Sequence, residues 1–255
     1  VSTQFLTSPD GTRIAYDVTG SGPPLVLLHG AGKSRKDWHK LGYVERLATD
    51  FAVITVDIRG SGDSEFLTEI EDYEIEKICT DIYAVADGCG VQRFAVWGFS
   101  FGANIARYLA AWTDRVTALA VIGIPFGVAV PKEFDGFIDG FIEKWEPTVR
   151  AFKESGLPGK PGKAAIKGRI PVWFACFQAM RDWPSIDPDQ VHCPTILLVV
   201  TKNKSTVGWV EVNREPLDRA GIRVEIIEGL KHSQEFTEID KVFSVVRSFL
   251  KEATS

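Results

Sequence analysis

At 255 residues, with 45% hydrophobic and 25% charged side chains, the chain has the size of one large α/β domain or two small ones, which excludes disorder, collagen and coiled coil. Its 29 basic and 34 acidic residues leave a net charge of −5, opposed to a nucleic-acid or anionic-membrane partner that would need a basic face. Cys79, Cys89, Cys176 and Cys193 form no C-x-x-C pair and His29, His39, His192 and His232 no H-x-x-x-H, so a structural zinc site is not expected and the thiols read as reduced cysteines of a cytoplasmic protein.

Val1 to Asp10 is polar and holds no apolar stretch of signal-peptide length, so no targeting segment is expected there. Pro9-Asp10-Gly11 marks a turn between two opening strands, the second being the alternating Ile14–Val18. Leu25–Leu28 and Phe51–Asp57 are short and apolar throughout, the pattern of strands buried on both faces. Phe94–Trp97, Val116–Ile122, Thr195–Val200 and Val224–Ile227 repeat it. Helical patterns lie near Trp38–Ala48, Ile75–Asp87, Phe101–Trp112, Val207–Ala220 and Ile239–Lys251. The longest uncharged run, Val116 to Pro131, falls short of the ~20 residues of a membrane span, so a soluble chain without a membrane partner is expected. Strands alternating with helices predict a mostly parallel sheet with helices on both faces, and ligands at the carboxyl ends of its strands.

One stretch breaks the rhythm. From Pro125 to about Gln190 the pattern is helical, with the turn-rich Gly156–Gly162 in its middle. This predicts a core domain of 1–124 and 191–255 with a helical insertion over 125–190. Phe134, Phe137, Phe141 and Trp145 recur there at helical spacing. Such a stripe either packs the insertion onto the core or lends some rings to an apolar pocket. Lys153, Lys160, Lys163, Lys167 and Arg169, and the acidic run Glu65 to Glu76, read as solvated faces.

The strand Phe94–Trp97 runs into Gly98-Phe99-Ser100-Phe101-Gly102 and then a helix. This is G-x-S-x-G in the strand–turn–helix setting that gives the motif meaning. The turn would lift the Ser100 hydroxyl above the sheet at the positive end of the helix. Gly32-Lys33-Ser34 is similar to the end of a phosphate loop, but Leu27 stands where that loop needs a glycine, so nucleotide binding is not expected.

With His29-Gly30-Ala31-Gly32 after an early strand, Asp57-Ile58-Arg59-Gly60-Ser61-Gly62-Asp63-Ser64 after the next, and a late His232 in Gly229-Leu230-Lys231-His232, the chain resembles the α/β-hydrolase superfamily over nearly its whole length. The insertion stands in the place of that family's cap domain. The resemblance implies Ser100 as nucleophile, His232 as general base, and an oxyanion hole from the backbone N–H groups of Ala31 and Phe101. It implies that His29 shapes the oxyanion loop, while Asp57, Arg59 and Asp63 hold loops together. His192 and Cys193, just before a strand, are expected to be buried or edge residues, and His39 a surface residue.

The resemblance also implies an orienting Asp soon after Thr195–Val200, where the sequence reads Thr201-Lys202-Asn203-Lys204-Ser205 with Lys204 at about that position. The alternative place, Gly123-Ile124-Pro125-Phe126-Gly127, holds no acid either. Glu211, Glu133, or a Ser–His dyad steadied by Asn203 remain open, and the third catalytic member is unassigned. The reading is a cofactor-free serine hydrolase of small to medium apolar carboxylic esters. Epoxide hydrolases and haloalkane dehalogenases of this superfamily use an Asp nucleophile, which Ser100 argues against. The rivals are a lyase, carbon–carbon hydrolase or cofactor-free oxygenase on the same scaffold, and a non-catalytic ligand receptor. Oligomeric state is not legible.

Overall fold

Runs of β-branched and aliphatic residues too short for helices become eight strands in a computed structural model that describes residues 2–155 and 169–255. They are β1 (Gln4–Thr7), β2 (Arg13–Thr19), β3 (Pro24–Leu28), β4 (Ala52–Val56), β5 (Phe94–Phe99), β6 (Val116–Ile122), β7 (Thr195–Val200) and β8 (Arg223–Ile227). They form one sheet in the order β1-β2-β4-β3-β5-β6-β7-β8. β1 with β2 and β2 with β4 are antiparallel; every other pair is parallel. This is the expected α/β class, a mostly parallel sheet flanked by helices.

The uniform apolarity of the central strands has a simple cause. Side chains alternate between two buried faces. In β5, Phe94 and Val96 join one core, while Ala95, Trp97 and Phe99 join the other. The first core lies under α3 (Ile75–Gly88) and α4 (Phe101–Trp112). The second lies under α1 (Arg35–Lys40), α2 (Tyr43–Leu47) and the C-terminal α10 (Ile239–Ala253), where Trp38, Tyr43, Trp97 and Phe243 meet at ring spacings of 4.9–6.4 Å.

Two predicted helices are each broken in two. Trp38–Ala48 divides at Gly42, whose φ of 80° places it in the left-handed region open to glycine. Val207–Ala220 divides into α7 (Lys204–Val212) and α8 (Arg214–Arg219) at Asn213, three residues before Pro216, which has no N–H to continue a helical ladder.

Between β6 and β7 the chain runs through α5 (Lys132–Glu154) and α6 (Ile170–Met180). The expectation of no strand there needs one amendment: Gly127 and Ile186 form an isolated bridge, with N–H to carbonyl distances of 2.7 and 3.1 Å. The predicted turns of Gly156–Gly162, and Lys160, Lys163 and Lys167, lie outside the described residues. Lys153 is exposed and pairs with Glu69 at 2.7 Å. Among the described residues no helix is long and apolar enough to cross a membrane.

Strand order fixes where chemistry can occur. β3 leads to β4 on one side and its other neighbour β5 leads to β6 on the opposite side, so the loops after β3 and β5 part and leave a crevice.

Candidate active site

The turn after β5 is held by what its glycines lack. A Cβ on Gly98 would collide with the Ala103 backbone, and one on Gly102 with the Leu28 carbonyl. Strand, turn and helix can therefore close up only with glycine at both places. Between them Ser100 takes φ 52° and ψ −114°, and it is the one non-glycine residue with positive φ among those described. Its N–H donates to the Ile122 carbonyl at 2.8 Å, and its carbonyl accepts from Asn104 N–H at 2.9 Å. The strain aims Ser100 Oγ out of the sheet.

His232 leaves the loop after β8 and brings Nε2 to 3.0 Å from Ser100 Oγ. Its ring stacks on Phe99 with centroids 5.3 Å apart. Nδ1 lies 2.6 Å from Glu235 Oε2. A carboxylate there accepts the Nδ1 proton, which leaves Nε2 free to accept from the Ser100 hydroxyl. Ser100 and His232 are thus brought together, and the carboxylate on the other side of the imidazole is Glu235.

That corrects the sequence-based candidates. Glu211 is exposed on α7, Glu133 is exposed at the start of α5, and Lys204 is the exposed first residue of α7. None of them bonds to His232. The acid sits three residues after the histidine, on the single helical turn α9 (Gln234–Thr237). Side chains three apart on a turn are neighbours. The spacing His232-Ser233-Gln234-Glu235 was the available signal. The turn itself is anchored: Phe236 stacks on Phe99 at 4.9 Å, and its carbonyl accepts from Tyr43 Oη at 3.0 Å.

Glu235 is 1% exposed. Burial pushes its carboxyl upward, opposed by the His232 hydrogen bond and charge and by the Asn203 amide. Asn203 also donates Nδ2 to the Gly123 carbonyl at 3.3 Å. Gly123 has φ +83°, and a Cβ on it would lie 2.8 Å from His232 Cε1 and closer still to Glu235 Oε2. The loop after β6 thus contributes room for an acid from elsewhere. Gly123→Ala is expected to lower kcat by about a hundredfold by displacing that carboxylate, the scale of a 1 Å misplacement. An unchanged kcat would show that the pair tolerates the intrusion.

Ala31 and Phe101 border the same cavity as Ser100 and His232. Phe101 is the first residue of α4, so its N–H has no acceptor within the helix. His29 is fully buried; Nδ1 lies 2.9 Å from the Gly30 carbonyl, and Nε2 accepts from Ile58 N–H at 3.2 Å. It ties the loops after β3 and β4 together. Asp57 accepts from Arg35 N–H at 2.7 Å and Asp63 N–H at 2.8 Å, besides binding the Arg35 guanidinium. Arg59 pairs with Asp81 at 2.7 Å and Asp10 at 2.8 Å. These groups hold loops and stand apart from the cavity. His39 differs from expectation, being half-buried with Nε2 2.8 Å from Asp17 of β2. His192 is exposed and Cys193 half-buried just before β7.

The cavity encloses about 310 Å³. Its lining is mostly apolar, with Ile124, Pro125, Phe134, Phe177 and Met180 beside the polar Asn104, Glu133 and Thr206. Of the stripe on α5, Phe134 reaches the cavity, whereas Phe137 and Phe141 pack on Phe177 at 6.0 and 5.2 Å. The pocket reading holds for Phe134, whereas the contacts of Phe137 and Phe141 with Phe177 of α6 lie within the insertion and do not join it to the core. Among the described residues no group of three His, Cys, Asp or Glu side chains is placed to hold a metal ion.

Comparison with known proteins agrees with this fold. A family model described as alpha/beta hydrolase fold matches residues 23–157. A soluble epoxide hydrolase of Corynebacterium sp. is 36% identical over 101 residues, covering 40% of this chain and 34% of that enzyme. The chain thus spans only about a third of that relative's length. An alpha/beta hydrolase of Sphaerobacter thermophilus superposes with a TM-score of 0.69 at 26% identity, covering 96% of this chain and 99% of that one. An esterase of Exiguobacterium antarcticum gives 0.76 at 22% identity, covering 98% and 100%.

Proposed function

Since the chain belongs to the alpha/beta hydrolase fold family, we propose that it is a serine hydrolase that cleaves carboxylic esters of small to medium apolar groups. The observation that carries this reading is the run Ser100 Oγ, His232 Nε2 and Glu235 Oε2, linked at 3.0 and 2.6 Å on the wall of an apolar cavity. His232 takes the Ser100 proton as Oγ attacks the ester carbonyl carbon. The N–H groups of Phe101 and Ala31 bind the oxyanion. Collapse of the tetrahedral intermediate breaks the bond to the alkoxy oxygen, which leaves with the proton from His232. Water, deprotonated by His232, then attacks the acyl-enzyme and releases the acid and Ser100. Glu235 holds the imidazole in the required tautomer and stabilises the imidazolium.

Opening an epoxide through an alkyl-enzyme ester needs a carboxylate nucleophile. With a serine at the elbow, similarity to an epoxide hydrolase does not carry that activity over. Residues 125–190 act as a cap whose Phe134, Phe177 and Met180 line the acyl site.

The test is hydrolysis of p-nitrophenyl esters from acetate to octanoate, with the first turnover resolved. A burst of p-nitrophenol and an acylated protein by intact mass are expected. Labelling of Ser100 by a fluorophosphonate should accompany them and fall in His232→Ala. No turnover of any ester by folded protein would overturn the reading.

A further inference from the structure

Three arginines are almost wholly buried, and one of them is unlike the others. Arg35 pairs with Asp17 and Asp57, and Arg59 with Asp81 and Asp10. Arg107 on α4 is 1% exposed, and no carboxylate partners it among the described residues. Burial pulls its guanidinium down to about 10. A buried cation without a counter-ion is costly to the fold. Its bonds therefore point to a role other than stability.

Those bonds converge on one segment, the strap from β6 to α5. Nη1 donates to the Pro125 carbonyl at 2.6 Å and the Gly127 carbonyl at 3.3 Å. Nη2 donates to Asn104 Oδ1, and the Asn104 amide donates in turn to the Ala129 carbonyl at 2.9 Å. The Phe126 ring lies 5.8 Å from the guanidinium carbon. Carbonyls of alternate residues, 125, 127 and 129, are thus drawn toward α4, the helix that begins at the nucleophile. Pro125 and Ala129 border the cavity, as does Asn104 itself. A planar fork of donors is suited to several fixed carbonyls at once in a way that a lysine is not.

We propose that Arg107 is a positioning residue that, through Asn104 and the strap carbonyls, fixes the part of the cavity wall formed by the strap and so sets which acyl lengths the site accepts. This rests on the ester-hydrolase reading given above. Removing the clamp lets the strap drift from α4. The wall then ceases to match a long acyl chain, while the Ser100–His232–Glu235 geometry, held by bonds in which the Arg107 guanidinium takes no part, stays in place.

The experiment is Arg107→Met, close in volume and without charge, compared with wild type on p-nitrophenyl esters from acetate to octanoate. Amide hydrogen exchange over 124–131 is followed in parallel. The ratio of kcat/KM for octanoate to that for acetate is expected to change by about tenfold, carried by KM, while kcat on acetate stays within about threefold. Exchange over the strap is expected to speed up. If Arg107→Met does not fold, Arg107→Lys keeps the charge but loses the fork, and the same ratio decides. An equal loss on every ester, or an unchanged length profile with a loosened strap, would overturn the proposal. Wild type inactive on all esters would sink the hydrolase reading instead. The strap's exchange would then still tell whether Arg107 holds it, and unchanged exchange would overturn the proposal independently.

Discussion

Glu235→Gln is expected to lower kcat on the best ester by about 10²–10⁴-fold without unfolding the chain. The amide keeps the volume of the carboxyl but loses the charge that stabilises the imidazolium and fixes its tautomer. Stability should move the other way. Burial raises the Glu235 carboxyl above its ordinary 4.5, so the folded chain binds this proton more tightly than the unfolded chain does. The group favours folding most below pH 4.5 and loses that contribution as pH rises through the raised value. Glutamine does not titrate, so at neutral pH the variant should be at least as stable as wild type in urea. Its stability should also stop falling across that window. Glu211→Gln and Lys204→Ala, neither of them bonded to His232, serve as controls expected within about twofold of wild type. Unimpaired turnover in Glu235→Gln would remove the carboxylate from the mechanism.

Ser100→Gly is expected to cost about 10⁴–10⁶ in kcat and yet raise Tm. The loss follows from the missing Oγ, since no other hydroxyl faces His232 Nε2 at bonding distance among the described residues. The gain follows from φ 52° at this residue. A left-handed backbone costs a side-chain-bearing residue about 1–2 kcal/mol, against about 0.4–1 kcal/mol for the extra freedom of glycine in the unfolded chain. The difference corresponds to about 1–4 °C in a chain of this size. Ser100→Ala keeps the strain and should be inactive without the gain. Calorimetry on the three proteins reads this directly. A Ser100→Gly protein that melts lower than Ser100→Ala would mean that the turn is not strained.

The strands were legible because burial on both faces leaves no polar gaps: Val116–Ile122 and Thr195–Val200 stand where the sequence puts them. Gly98–Gly102 was legible because its meaning is local, a strand, a turn and a helix in succession. The broken helices were not, since Gly42 and Asn213 interrupt an apolar period that otherwise runs on across both pieces. The acid escaped for a different reason. A four-residue helix is too short to show a periodicity. Attention to the loops after β6 and β7 then favoured Glu133 and Glu211, which sequence alone cannot place relative to His232. Which aromatic rings on α5 face the cavity was equally out of reach, because Phe134 and Phe137 share a face of the helix and differ only in what lies opposite them.

Because His232 and Glu235 ride on one short segment, the proton relay behaves as a cartridge. In a relay assembled from separate loops, each loop must keep its own register with the others. Here a shift of the 232–235 turn changes the reach to Ser100 while the partner distance within the turn persists. The loop after β7 is thereby released from carrying the acid. Its residues Thr201–Ser205 are left to answer to the substrate, and Asn203 and Ser205 already border the cavity. Diversifying that loop outside Asn203, whose amide still serves Gly123 and Glu235, should therefore retune selectivity at little expense to turnover.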